Sequence, residues 1–187
     1  MLKDKRTAMV GTLVLALFLS SLILTNPGKA LAVSAFLKVD GIPGESTDDK
    51  HKDQIDVITW SFGDTQPTAA ATSSGGAGAQ RVNMQNFRFT MRTNKASPIL
   101  FGTVANGKHI QKVELDVCKS GGDKSRFLNI RLTDSIVSSF VSLGSSGSTD
   151  VYPTEEIVLN FTKIEITYTG PKGDIKFNWD VKANTGI

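Results

Sequence analysis

The chain has 187 residues, 40% of them hydrophobic, with a formal net charge of +3 and a single cysteine. Four of its 21 basic residues (Lys3, Lys5, Arg6, Lys29) and one of its 18 acidic residues (Asp4) lie in the first 32, so residues 33–187 carry 17 charges of each sign. A neutral domain has no electrostatic pull onto nucleic acid or anionic lipid, and a lone Cys118 excludes an internal disulfide.

Residues 1–32 have the order of a secretory signal peptide: a basic start, an apolar run from Ala8 to Leu24, the breakers Asn26-Pro27-Gly28, and Ala30-Leu31-Ala32. Ala30 and Ala32 make the small-x-small site, and cleavage after Ala32 leaves one domain, 33–187, long enough for a sizeable core. The alternative is a retained membrane anchor, because the apolar run is nearly long enough to span. Either way, contact with a membrane is confined to residues 1–32. The signal places the domain outside the bacterial cytoplasm: secreted, periplasmic or at the cell surface.

Ala35 to Val39 predicts the first strand and Ile55 to Phe62 the second, with the charged stretch Glu45 to Gln54 as the loop between them. The second strand changes phase at Val57-Ile58. Trp60 and Phe62 then face inward, with Thr59 and Ser61 on the opposite side. Gly63 to Gln80 holds no apolar period and reads as a long arm; Gly75, Gly76 and Gly78 are not a phosphate cradle, since no Lys-Ser/Thr pair follows them. Val82 to Met91 predicts a strand with Phe87, Phe89 and Met91 on one face. Next comes the one helix, capped by Ser97 with Pro98 at its first position and ended by Gly107, burying Ile99, Leu100, Thr103 and Val104. Lys112–Cys118 and Phe127–Leu132 read as a hairpin around Ser120-Gly121-Gly122-Asp123, with Cys118 on its polar face beside Glu114 and Asp116. Such a thiol is a weakly polar surface or interface residue.

Ile136 to Val141 predicts a further strand, and Leu143 to Asp150 a Gly/Ser loop. The long strand from Glu155 to Tyr168 organises the rest. Ile157, Leu159 and Phe161 share one face, whereas Ile164, Ile166 and Tyr168 have the opposite parity. A period-2 strand exposes half of that set unless it bulges or bends, so a bulge or bend is expected near Thr162-Lys163. After Gly170-Pro171-Lys172-Gly173 a last strand turns Phe177, Trp179 and Val181 toward the core. The sum is an all-β fold: a two-sheet β-barrel with one short α-helix, preceded by the apolar signal helix.

Reactive chemistry does not emerge from these residues. His51 and His109 sit in polar loops without a neighbour at metal-ligand spacing, and read as solvated histidines. Asp48, Asp49, Asp53 and Asp56 lack the spacing of a calcium loop, and no nucleophile elbow occurs. No catalytic residue, metal ligand or cofactor is assigned, and the reading is binding or assembly.

Several stretches, in order, resemble the Hcp family, the haemolysin-coregulated tube proteins of type VI secretion systems. They are Ala35–Val39 with Ile42-Pro43-Gly44-Glu45-Ser46, Ile55–Gly63, the glycine-rich arm to Val82, the helix with Ser97-Pro98, and Gly107-Lys108-His109. Lys119-Ser120-Gly121-Gly122 and the bent strand Val158–Ile164 complete the set. The resemblance implies a β-barrel of two sheets with one helix, assembling with itself as homohexameric rings that stack into a tube. It also implies effector proteins carried in the lumen and a VgrG-type spike at the tip. On this likeness the arm, with Asp64, Gly75, Gly76 and Gly78, bridges stacked rings, and Thr59 and Ser61 face the lumen and its cargo. Family members ordinarily lack a secretory segment. Residues 1–32 therefore open a second reading, an exported protein forming rings or fibres at the surface without an injection machine. A ligand-binding β-sandwich module ranks behind both, because Trp60 and Trp179 fall in strand-core patterns instead of an exposed aromatic platform.

Overall fold

Alternating apolar residues produce ten strands and one helix among the residues that the computed structural model describes, 33–67, 81–120, 125–144, 146 and 151–186. In chain order these are β1 Val33–Val39, β2 Ile55–Ser61, β3 Asp64–Thr65, β4 Asn83–Met84, β5 Phe87–Arg92, α1 Ala96–Asn106 and β6 His109–Lys119. Then come β7 Arg126–Leu143, β8 Thr154–Gly170, β9 Gly173–Asp180 and β10 Thr185–Gly186. Residues 1–32, with Ala30, Ala32 and the expected signal helix, lie outside the described residues, as do Gly75, Gly76 and Gly78. No helix among the described residues is long and apolar enough to cross a membrane.

The strands run β10-β9-β8-β5-β2-β1-β6-β7, and β7 also pairs with β8. That last pairing closes β8, β5, β2, β1, β6 and β7 into a six-stranded antiparallel barrel, which removes the exposed edges of an open sheet. β9 and β10 extend the sheet beyond the barrel, while β3 and β4 form a separate two-stranded ribbon. The all-β barrel with one helix is the architecture the pattern implied.

The phase change in β8 is real, and its cause lies across the ladder. Ile157 and Leu159 are buried, then Ile164, so the buried parity switches between Leu159 and Ile164. β7 switches too, from Ile130 and Leu132 to Ser135 and Val137. Thr133↔Lys163 and Ser135↔Phe161 keep one register across the switch, so neither strand gains a residue there. The bend sits at Asp134, whose φ of 51° is left-handed, opposite Thr162. Both strands turn together, and β8 exchanges its partner β5 for β9 at this point. True register shifts occur elsewhere: between Val57 and Thr59 in β2, where a phase change was expected, between Val137 and Ser139 in β7, and between Val117 and Cys118 in β6.

The barrel is filled by large side chains with essentially no exposure, among them Phe87, Phe89, Leu37, Ile55, Leu115 and Ile157. Each contributes about 1.5–3 kcal/mol relative to an exposed position, which is what drives closure. α1 is fastened against β7 and β8 differently from expectation. Lys95, not Ser97, is the N-cap, and Ser97 lies buried in the first turn, where its Oγ donates to Glu155 Oε2 (2.6 Å). Thr93 Oγ1 donates to the same carboxyl (2.9 Å), so the buried Glu155 is satisfied by two hydroxyls. Asn94 Oδ1 accepts from the Ala96 N–H (2.8 Å) in place of a capping side chain at position 95. Leu100 and Thr103 are buried as expected and Val104 is half-buried, but Ile99 is exposed and Ala96 and Ser97 complete the inner face. Gly107 ends the helix in the left-handed conformation, φ 59°.

Three strand expectations change. Ile136–Val141 is no separate strand but the second half of β7. Val82–Met91 divides into β4 and β5, with Phe87, Phe89 and Met91 sharing the buried face. On β9, Trp179 is half-buried, as is Val181 just past its end, yet Phe177 is 47% exposed, because this strand lies beyond the barrel wall.

Candidate assembly surfaces

Thr59 and Ser61 project from β2 on the side away from Trp60 and Phe62, which are half-buried against the core. The outward face they share is polar and internally tied. Thr90 Oγ1, from β5, meets both the Thr59 N–H (3.1 Å) and the Thr59 hydroxyl (2.8 Å). Ser61 is opposite Arg88, and Arg88 forms an ion pair with Glu156 of β8. Arg88, Thr90 and Glu156 were not singled out from the sequence. The parity opposite Phe87, Phe89 and Met91 was the signal that could have found two of them.

The arm leaves this face at one end. Gly63 O accepts from the Gln85 N–H (2.8 Å), and Asp64↔Met84 and Thr65↔Asn83 pair β3 with β4, so both ends of the arm are drawn into one ribbon. Of the candidate arm residues only Asp64 is described, on β3. On the returning side the Arg81 guanidinium donates to Val181 O (2.7 Å) and Lys182 O (2.9 Å), and the Val82 N–H donates to Asn184 Oδ1 (3.1 Å). At the opposite end of β2 and β5 lies a cleft of about 400 Å³ lined by Glu45, Asp56, Ile58, Arg92 and Tyr152 among others. Ile58 is 50% and Tyr152 59% exposed there.

His51 and Cys118 depart from expectation together. Cys118 does fall on the outward parity of β6 with Asp116, but the Glu45–Gln54 segment folds over that face and buries it. The segment is self-paired through Ser46 N–H to Gln54 O (2.9 Å) and Asp53 N–H to Ser46 O (3.0 Å). Gly44 permits the fold-over, since a Cβ there would lie 2.2 Å from Gln54 O. His51 is therefore a buried residue and no solvated one. Its ring stacks on Phe36 with centroids 4.3 Å apart, its Nε2 is 3.5 Å from Cys118 Sγ, and its Nδ1 is 3.3 Å from Gln54 Oε1 and 3.8 Å from Asp116 Oδ2. The order thiol, imidazole, carboxylate has the outline of a nucleophilic site, but Sγ has no exposed surface. Burial pushes the Cys118 thiol up, and the charges of Asp116 and Asp48 push it further, so the reactive thiolate is disfavoured. The cluster is a packing device. His109 begins β6 instead of lying in a loop, and its exposed ring pairs with Asp134 (2.6 Å).

A ladder of charge covers the outside of β6, β7 and β8. Arg131 bonds Glu114 (2.9 Å) and Glu165 (3.0 Å), and Arg126 and Asn129 both bond Asp116. Burial alone would raise the Glu114 carboxyl, but Lys112 and Arg131 outweigh it and hold it below its ordinary value. These charges satisfy one another across the strands. Among the described residues no group of three or more His, Cys, Asp or Glu side chains is placed to hold a metal ion.

The family model described as "Type VI secretion system effector, Hcp" matches residues 36–168. Protein hcp1 of Pseudomonas aeruginosa is 36% identical over 162 residues, covering 82% of this chain and 98% of that protein. The crystal structure of Hcp1 from Salmonella typhimurium is 34% identical with a TM-score of 0.72, covering 84% of this chain and all (100%) of that one. A structure described only as a type six secretion system protein is 28% identical with a TM-score of 0.78, over 83% of this chain and 100% of its own.

Proposed function

We propose, from the premise that this chain belongs to the Hcp family of type VI secretion proteins, that it is a ring-forming tube component, with assembly and not catalysis as its role. Rings of six copies stack head to tail, and effector proteins travel in the lumen toward a VgrG-type spike. The observation that carries this reading is the polarity of the barrel along β2 and β5: a separate two-stranded ribbon at one end and a cleft at the other. A protrusion and a recess on opposite ends of one molecule make a heterologous contact, which propagates along an axis. The Thr59, Ser61 and Thr90 face lines the lumen in this arrangement; its hydroxyls and the Arg88–Glu156 pair give cargo a wet, polar wall. The near-neutral balance of residues 33–187 favours self-association.

Residues 1–32 support a second reading, in which the protein is exported and builds rings or fibres at the cell surface without an injection machine. One sample tests the assembly and the export together. Protein recovered from outside the cytoplasm is expected to begin at Val33 on N-terminal sequencing and to sediment as a six-subunit ring. A chain starting at Met1 in the membrane fraction contradicts cleavage, and a monomer at all concentrations contradicts assembly.

A further inference from the structure

The arm is rooted in a ribbon of only two residue pairs, Asp64↔Met84 and Thr65↔Asn83. An isolated pair of strands that short does not hold a direction in water. A second attachment is present on the returning side. Arg81 bridges two consecutive carbonyls, Val181 O and Lys182 O, and the next residue, Val82, gives its N–H to Asn184 Oδ1. These three bonds span about a hundred residues of sequence, with separations of 100, 101 and 102.

The turn that receives them is itself fixed. Asn184 has a φ of 57°, the left-handed conformation that asparagine tolerates better than most residues. The Ala183 N–H donates to Asp180 Oδ1 (2.8 Å), and Asp180 also pairs with Lys163 (3.4 Å). The Val181 N–H donates to Thr162 O (2.9 Å), at the point where β8 changes partners. The turn therefore transmits the position of the barrel bend to the root of the arm.

We propose that Arg81 and the turn Val181–Asn184 form a clamp that holds the root of the arm, and thereby sets the strength with which one copy stacks on the next. This rests on the reading of the arm as the stacking contact. Arg81 is exposed and touches the turn only through main-chain oxygens, so the clamp contributes little to the core. Its effect is preorganisation: a root already held in place loses less freedom on docking. Arg81 is a positioning residue in this scheme, with Asn184 as its partner.

The test compares four proteins as purified rings, by electron microscopy and sedimentation: wild type, Arg81→Ala, Asn184→Gly and Asn184→Asp. Glycine keeps the left-handed turn but removes the acceptor for Val82, whereas aspartate keeps both. Arg81→Ala and Asn184→Gly are expected to leave the ring intact and the melting temperature within about 3 °C of wild type, while stacking weakens about tenfold or more. Asn184→Asp is expected to stack like wild type. Unchanged stacking in both weakened variants, or loss of the ring in both, overturns the clamp. A fifth protein lacking Ala69–Gly78 separates the two claims: if it still stacks, the stacking role of the arm fails and the clamp with it. If it does not stack while Arg81→Ala and Asn184→Gly do, only the clamp fails.

Discussion

The imidazole of His51 decides what the one thiol of this chain can do. It lies flat on Phe36 and caps Cys118 Sγ, so the sulfur has no solvent to favour the thiolate, and the opposing pull of Arg126 and Lys50 is outweighed. Burial first, and then Asp116 and Asp48, raise the thiol pKa. A raised pKa means less thiolate at any given pH, the opposite of an activated cysteine. Folded protein at neutral pH is therefore expected to resist a colorimetric disulfide reagent until it is denatured, and His51→Ala is expected to react at least about tenfold faster than wild type, at a cost of about 1–2 kcal/mol in lost stacking and packing. Reaction of the native wild type at the rate of the unfolded chain contradicts the packing assignment. The strand parity of Cys118 was legible in the sequence; its burial was not. Parity reports which side of a sheet a residue takes, and cannot report that a polar, charged segment, with His51 67 positions before Cys118, will lie over that side.

At the scale of elements, the barrel depends on β7 and β8 bending as a pair. Alternation in β8 exposed the bend, because half of its apolar residues would otherwise face water. The hinge itself was invisible, since it is a single aspartate in the partner strand. Left-handed backbone costs an ordinary residue roughly 1–2 kcal/mol, and less for Gly, Asn or Asp. Asp134→Gly is accordingly expected to unfold within about 1 kcal/mol of wild type in denaturant titrations, whereas Asp134→Val costs about 2 kcal/mol or more. The exposed pair with His109 is worth at most about 1 kcal/mol, so its loss does not account for that difference. Equal destabilisation by glycine and valine would falsify the hinge. The helix start departs from the local sequence signal for a related reason. Ser97 has the chemistry of a cap, but a buried Glu155 on β8 competes for its hydroxyl, and that long-range partner outweighs the local preference.

On the scale of the whole molecule, the closed barrel leaves its edges at two places only among the described residues, the β3–β4 ribbon and the overhang of β9 and β10. The clamp joins those two features at Arg81. The side of β2 that bears Thr59 and Ser61 followed directly from the size of Trp60 and Phe62, and the structure places those four residues as that argument requires. The cleft at Tyr152 was not legible, because its walls come from β2, β5 and three separate loops. Assembly into a ring is the central claim, and it fixes the direction in which each face must point. Electron microscopy of the assembled protein, at a resolution that orients the barrel, tests it most directly. An annulus of six barrels is expected, with Thr59, Ser61 and Thr90 on the inner wall and the ribbon directed along the ring axis. Monomeric particles, or a ring with that hydroxyl face turned to the outside, would contradict it.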